Sequence, residues 1–139
     1  MVADPASLSD RQYADLLAFR VALRRFLHWS ERAAEAEGLT PAQHQLLLAV
    51  RGHAEPQGPT VSDVAGYLLV RHHSAVGLID RAEAMGLVAR RADTDDHRVV
   101  RVRLTVRGRR RLDALTTNHL EELRRVRPAL HALLGEDPS

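Results

Sequence analysis

Residues 86–112 read GLVARRADTDDHRVVRVRLTVRGRRRL. Leu87–Arg91 and Val99–Leu104 alternate with the period of two that marks half-buried strands. Between them, Ala92–Arg98 carries Asp93, Asp95 and Asp96, whose short polar side chains favour turns. The stretch predicts a β-hairpin with a long polar tip. Residues 90–111 hold nine arginines (Arg90, Arg91, Arg98, Arg101, Arg103, Arg107, Arg109, Arg110, Arg111) against three aspartates, a local charge of +6 in a chain whose formal net charge is +2. Positive charge gathered on a projecting ribbon is the electrostatic footprint of a nucleic-acid binder. A solvated surface hairpin is the plain alternative, and the upstream sequence weighs against it.

Upstream lies a pair of short helices. In Pro59-Thr60-Val61-Ser62-Asp63, Thr60 suits an N-cap, and Asp63 three residues on suits a capping box and the positive end of the helix dipole. Val61, Val64, Ala65, Leu68 and Leu69 are expected on one face of the first helix. Leu69-Val70-Arg71 is a tight joint. The second helix is predicted from about His72 to Met85, with Gly86 at its C′ position. Ala75, Leu78, Ile79 and Ala82 form its buried stripe, while His72, His73, Ser74, Gly77, Asp80 and Arg81 lie opposite. A short helix, a tight turn, a helix with a polar N-terminal end and a basic hairpin make the winged helix-turn-helix plan. Its second helix is shaped for a major groove.

These stretches also carry a family resemblance. Leu39-Thr40-Pro41-Ala42-Gln43, Val61-Ser62-Asp63-Val64-Ala65, Asp80-Arg81-Ala82-Glu83-Ala84-Met85-Gly86-Leu87-Val88 and Asp93-x-x-Asp96-x-Arg98, followed by Leu104-Thr105 and Gly108, resemble the MarR family of bacterial transcriptional regulators. The resemblance covers about residues 10–125. It implies a homodimer on a pseudo-palindromic operator in double-stranded DNA, with the recognition helix in the major groove and the wing in the adjacent minor groove. By position, it makes His72, His73, Ser74, Val76 and Gly77 the base-facing residues and Arg98 the wing arginine. Ser62, Arg71 and Arg81 complete the expected DNA-binding set, and Asp93 and Asp96 are expected to position the wing by holding Arg98 or Arg81. Three features depart from the pattern. Gly77 stands where a polar side chain is common, the His72-His73 pair is unusual on a base-reading surface, and the end at Ser139 leads one to expect a shortened last helix.

The flanking segments read as dimerisation helices. Ser9-Asp10-Arg11-Gln12 fits a capping box, nothing breaks the helix before Glu37, and Gly38 ends it. Residues 9–37 would span about 43 Å, too long for one small lobe to cover. Their apolar residues, among them Tyr13, Leu16, Leu17, Phe26 and Leu27, occupy more than one stripe, so one face is free for a partner. After Thr105 a second long helix carries Leu112, Leu115, His119, Leu123 and Val126 at near-heptad spacing, and Pro128 must end or kink it. A last helix, Pro128–Leu134, precedes a tail, 135–139, expected to be disordered. Gly52–Pro59 reads as a surface loop. The expected organisation is a single winged-helix domain, 1–139, mainly α with a small β-hairpin. It has dimerisation helices 9–37 and 105–134 and a DNA-binding lobe 40–104, its wing at about 87–104.

Four aromatic or imidazole residues, His28, Trp29, His44 and His119, are candidates to line an effector cavity, for which a small aromatic or anionic molecule is the expected ligand. The alternative is that His44 and His119 are hydrogen-bonded interior histidines. His72 and His73 are adjacent and diverge on a helix, so they suggest no metal site. No cofactor motif, nucleophile elbow or phosphate-binding glycine loop is visible, and no catalytic residue is assigned. The chain lacks an apolar run of membrane-spanning length, a secretion signal at MVADPASLSD and any cysteine, which argues for a cytoplasmic, nucleoid-associated protein without thiol sensing. All twenty basic residues are arginine, suited to bidentate phosphate and guanine contacts, although a GC-rich coding bias explains the choice equally well. The expected function is a dimeric sequence-specific repressor released by a small effector. A ligand-independent DNA-binding or architectural protein without an effector pocket is the alternative.

Overall fold

A computed structural model describes residues 7–135. The elements run α1 (Asp10–Ala36), α2 (Pro41–Gly52), α3 (Val61–Leu68), α4 (His72–Ala84), β1 (Val88–Ala92), β2 (Val100–Leu104), α5 (Val106–Leu123), a 3₁₀ turn (Arg124–Val126) and α6 (Arg127–Leu134). They group into two compact units. One comprises residues 33–116 and is called the lobe below; the other comprises 1–32 and 117–139.

Local chemistry sets the helix starts. The Ser9 amide donates to Gln12 Oε1 (2.7 Å) and the Gln12 amide to Ser9 Oγ (3.2 Å), the reciprocal capping box expected there. Thr40 and Gln43 form the same box on α2, with Pro41 in its first turn, and Thr60 and Asp63 form it on α3. Gly86, in left-handed backbone (φ 73°), follows α4 as expected. Pro128 lies in the first turn of α6, where its missing N–H is harmless, and the 3₁₀ turn absorbs the break after α5.

The lobe has one continuous apolar core. Leu46, Leu47 and Val50 of α2, Val64 of α3, and Ala75, Leu78, Ile79 and Ala82 of α4 pack with Val88, Val102, Leu112 and Leu115. The whole expected stripe of α4 is therefore buried. β1 and β2 pair antiparallel with Val88 opposite Leu104 and Arg90 opposite Val102, each strand starting one residue later than its sequence pattern indicates.

Three expectations are corrected within the lobe. Leu69 does not join the apolar face of α3. It is the C-cap, left-handed (φ 55°) and 91% exposed, because the chain must reverse there into α4. Leu115 is 4% exposed and, with Leu112, sits in the lobe's own core, so these two residues do not belong to a dimer seam. The segment 52–59 is not wholly a surface loop. Gly58 and Pro59 are buried, and the Val102 amide donates to the Pro59 carbonyl (2.8 Å), adding a short third edge to the hairpin. Gly58 has φ +94°, and a Cβ there would stand 2.0 Å from the Val102 carbonyl oxygen, so only glycine fits.

The second unit is built differently. Among its described residues Val126 is the one buried large apolar side chain, whereas Tyr13, Leu16, Leu17, Leu27, Leu120, Leu123, Leu130 and Leu134 are exposed. Within it, Trp29 and His119 meet edge to face at 4.7 Å, Phe26 contacts His119 at 6.1 Å, and Ser30 Oγ lies 2.7 Å from His119 Nε2. The tail residues 136–139 and the N-terminal residues 1–6, on which the disorder and secretion-signal expectations partly rest, lie outside the described residues.

Candidate nucleic-acid interface

The candidate interface is built from the two short helices and the hairpin of the lobe. Capping fixes where α3 begins, the left-handed Leu69 turns the chain, and extended Arg71 (ψ 155°) starts α4 without a side-chain cap. The first amides of α4 are thus left to an outside acceptor. His72, His73 and Ser74 are exposed on this first turn, with Arg71 and Arg81 exposed beside them. Val76 and Gly77 are half-buried, and Ser62 is exposed on the first turn of α3. A buried apolar stripe on one side of α4 and exposed polar groups on the other is the arrangement a major-groove helix needs.

The tip of the hairpin is ordered by carboxylates. Asp93 is buried and accepts from the amides of Asp95 (2.8 Å) and Asp96 (3.0 Å), closing the turn. Its other oxygen accepts from Arg101 Nε (2.9 Å) and Gln57 Nε2 (3.5 Å). Those two amides, and then Arg101, hold the Asp93 carboxyl below the ordinary carboxylate range. Asp96 grips Arg98 in a two-point pair, Oδ1 to Nε (3.0 Å) and Oδ2 to Nη2 (3.2 Å), which lowers the Asp96 pKa chiefly through the Arg98 side chain. The Arg98 side chain remains 90% exposed in this charge-assisted pair. Of the two arginines expected to be held by the tip, Arg98 is, by Asp96; Asp93 holds Arg101 instead, and Arg81 makes no ion pair among the described residues. Asp63 is held below its ordinary pKa by its capping bond to the Thr60 amide.

Sequence reasoning missed the groups that tie these pieces together. Arg90 reaches from β1 to α4, donating to Asp80 (2.6 Å) and Glu83 (2.9 Å), while its own amide also bonds Glu83 (3.0 Å). Gln57 accepts from the Thr94 amide (2.9 Å) and touches Asp93, pinning the tip to the preceding loop. Asp80 and Glu83 three residues apart on one helix face were a visible signal for a basic partner; nothing local pointed to Gln57. Of the effector candidates, Trp29 and His119 come together in the second unit, His28 is exposed there, and His44 is buried in the lobe.

A model of the MarR family matches residues 37–99. The transcriptional activatory protein BadR of Rhodopseudomonas palustris (strain ATCC BAA-98 / CGA009) is 33% identical over 138 residues, which span 98% of this chain and 73% of BadR. The chain belongs to the MarR family. Solved structures share the fold over most of the chain. CouR from Rhodococcus jostii RHA1, bound to p-coumaroyl-CoA, superposes with a TM-score of 0.62 and 27% identity over 94% of this chain and 85% of CouR. The S. aureus MepR–DNA complex does so with a TM-score of 0.65 and 24% identity over 85% of this chain and 82% of MepR. The resemblance read from the sequence is thereby established, as is the fold: mainly α, with a winged helix-turn-helix and one two-stranded hairpin. As a MarR-family member the protein is a transcription regulator. No helix among the described residues is long and apolar enough to cross a membrane.

Proposed function

We propose that the protein binds a pseudo-palindromic DNA operator as a homodimer and represses transcription until a small effector releases it. The observation that carries this reading is the lobe's rigid pairing of an exposed polar helix start, His72–Ser74, with a carboxylate-held wing arginine, Arg98. His72, His73, Ser74, Val76 and Gly77 face bases in this reading. Arg98 enters the minor groove, and Ser62, Arg71 and Arg81 meet phosphates. The exposed leucines of the second unit support dimerisation, since each apolar side chain taken out of water contributes about 1.5–3 kcal/mol. A repressor acts by occupying a site that overlaps a promoter. The name of BadR shows that a relative of this similarity acts as an activator.

Phe26, Trp29 and His119 offer an aromatic surface in the second unit, and CouR is a fold relative that holds an aromatic acyl-CoA. The bond between Ser30 and His119 favours a second reading, a regulator without an effector, because it satisfies the imidazole internally. A thermal-shift screen with aromatic acids separates the two, since a ligand of the folded state raises Tm. We read the protein as a DNA-binding regulator of the bacterial nucleoid and not as an enzyme. Sequencing of genomic fragments selected by the purified protein tests the central proposal. One enriched inverted repeat is expected, and selected fragments without a common site would refute it.

A further inference from the structure

We propose that the outer face of the β1–β2 hairpin is a second phosphate-binding track, which takes the backbone of duplex DNA beyond the half-site read by α4. The proposal extends the DNA-binding reading and depends on it. The register sets Arg91 directly opposite Arg101 and Ala89 opposite Arg103. Side chains alternate along a strand, and Val88 and Val102 point into the core, so Arg91, Arg101 and Arg103 share the other face. Like charges directly opposite each other weaken a strand pair. At the edge of β2, Arg109 of α5 and Arg51 of α2 line a hollow of about 280 Å³ with Arg103 and with the core-side residues Val102 and Leu104. A second hollow of about 370 Å³ is bordered by Arg91, Arg101 and again Arg103.

The charges on this face are mostly uncompensated. Asp93 holds Arg101, and Glu55 borders the first hollow. Arg51, Arg91, Arg103 and Arg109 take part in no ion pair among the described residues, whereas Arg90 and Arg98 on the same hairpin each have a carboxylate. Arg103 is exposed and gives its Nε to an uncharged partner, the Gln57 carbonyl. A row of uncompensated guanidinium groups attracts anions from solution.

The spread of the row selects a polymer. Alternate strand residues stand about 6.6–6.8 Å apart, and both hollows open to solvent, so a single small anion would satisfy only part of the row. A nucleic-acid strand presents a phosphate every 3.4 Å or so of duplex axis and can follow it. The direction selects flanking DNA. Arg90, on the core-facing side of β1, ties the hairpin to Asp80 and Glu83 of α4, so the recognition helix lies on that side and the track faces away.

The test compares two duplexes carrying the selected inverted repeat, one ending at the half-sites and one extended by about ten base pairs at each end, with unmutated protein and the Arg91→Gln, Arg103→Gln, Arg109→Gln triple variant. With three arginines on each of two protomers, the salt slope on the long duplex is expected to be steeper by about 5 than on the short one. Between 50 and 200 mM salt, the advantage of the long duplex should shrink by on the order of 10³-fold. The triple variant is expected to lose that length dependence while binding the short duplex as before. Arg91→Gln alone, at a side chain that holds no carboxylate, should remove about a third of it and serves if the triple variant does not fold. Equal length dependence in variant and unmutated protein would overturn the proposal, as would an equal loss on both duplexes. Failure of the unmutated protein to bind even the short duplex would instead refute the DNA-binding reading itself.

Discussion

Replacing Gly58 by alanine should loosen the wing from inside the lobe. The added Cβ would stand 2.0 Å from the Val102 carbonyl oxygen and 3.1 Å from its carbon, which are backbone atoms of a central strand and cannot swing aside. The residue also sits at φ +94°, where an L side chain costs about 1–2 kcal/mol. Relieving the overlap by shifting the backbone costs about 1–3 kcal/mol more, by analogy with overpacked cores. It also strains the Pro59–Val102 bond and the Arg101 contact to the Gly58 carbonyl (3.2 Å). The total is about 2–5 kcal/mol, a large part of the stability of a small domain. At about 4–8 °C per kcal/mol for a lobe of this size, Tm should fall by at least about 8 °C at fixed protein concentration. Gly66→Ala is the control. It lies inside α3 with nothing within 4 Å of its added Cβ, so it should raise stability by about 0.5–1 kcal/mol. Circular dichroism melts of the two variants decide the matter. Equal Tm values would refute the buried, left-handed placement of Gly58 and the third edge it makes possible.

Four further outcomes are expected. Arg98→Ala should weaken operator binding and lower the salt slope by about 1 for each phosphate that a protomer no longer neutralises, read by fluorescence anisotropy at several ionic strengths; unchanged affinity and slope count against a DNA-facing wing. His72→Ala with His73→Ala should reduce discrimination between operator and random duplex while the salt slope stays the same, because base contacts specify and phosphate contacts position. Leu123→Glu, at an exposed position (46%), should yield folded monomers in light scattering, whereas Leu115→Glu should unfold the lobe by burying an unpaired charge; a dimeric Leu123 variant would place the dimer face elsewhere. Asp93 and Asp96 have folded pKa values lowered below their unfolded ones, so their contribution is present above about pH 4 and is lost as pH falls through the folded values. Acid melts should accordingly show less pH dependence in Asp93→Asn than in the unmutated protein, and parallel acid limbs would contradict the assignment.

Features encoded within a few residues were readable in the sequence. The capping pairs Ser9–Gln12 and Thr60–Asp63, Gly86 after α4 and the stripe from Ala75 to Ala82 all follow from local hydrogen bonding and helical period. What failed required knowing the opposing surface. Leu112, Leu115 and Leu123 share one near-heptad row, yet the first two fill the lobe and the third is exposed, and spacing alone cannot say where one covering surface ends. Leu69 fits the apolar period of α3 and is lost to it because the chain turns there. The wing supports were the least legible. Gln57 meets residues 36 and 37 positions away, a pairing set by the fold and by no local pattern. Arginine-rich composition showed that the hairpin is basic, but the division into paired and unpaired guanidinium groups needed the strand register.

The bridge from Arg90 to Asp80 and Glu83 has a consequence for how such a regulator tolerates change in its target. Helix and hairpin are fastened to each other, so a protomer presents its half-site with a rigid stamp and not with two independent fingers. Sequence drift inside a half-site cannot be accommodated by letting the hairpin slide against the helix. The freedom that remains is between stamps, and DNA converts it into angle: one extra base pair between the halves of an operator rotates one imprint around the duplex axis away from its mate. Operators of this protein should therefore keep both the letters of each half-site and the phase between the halves.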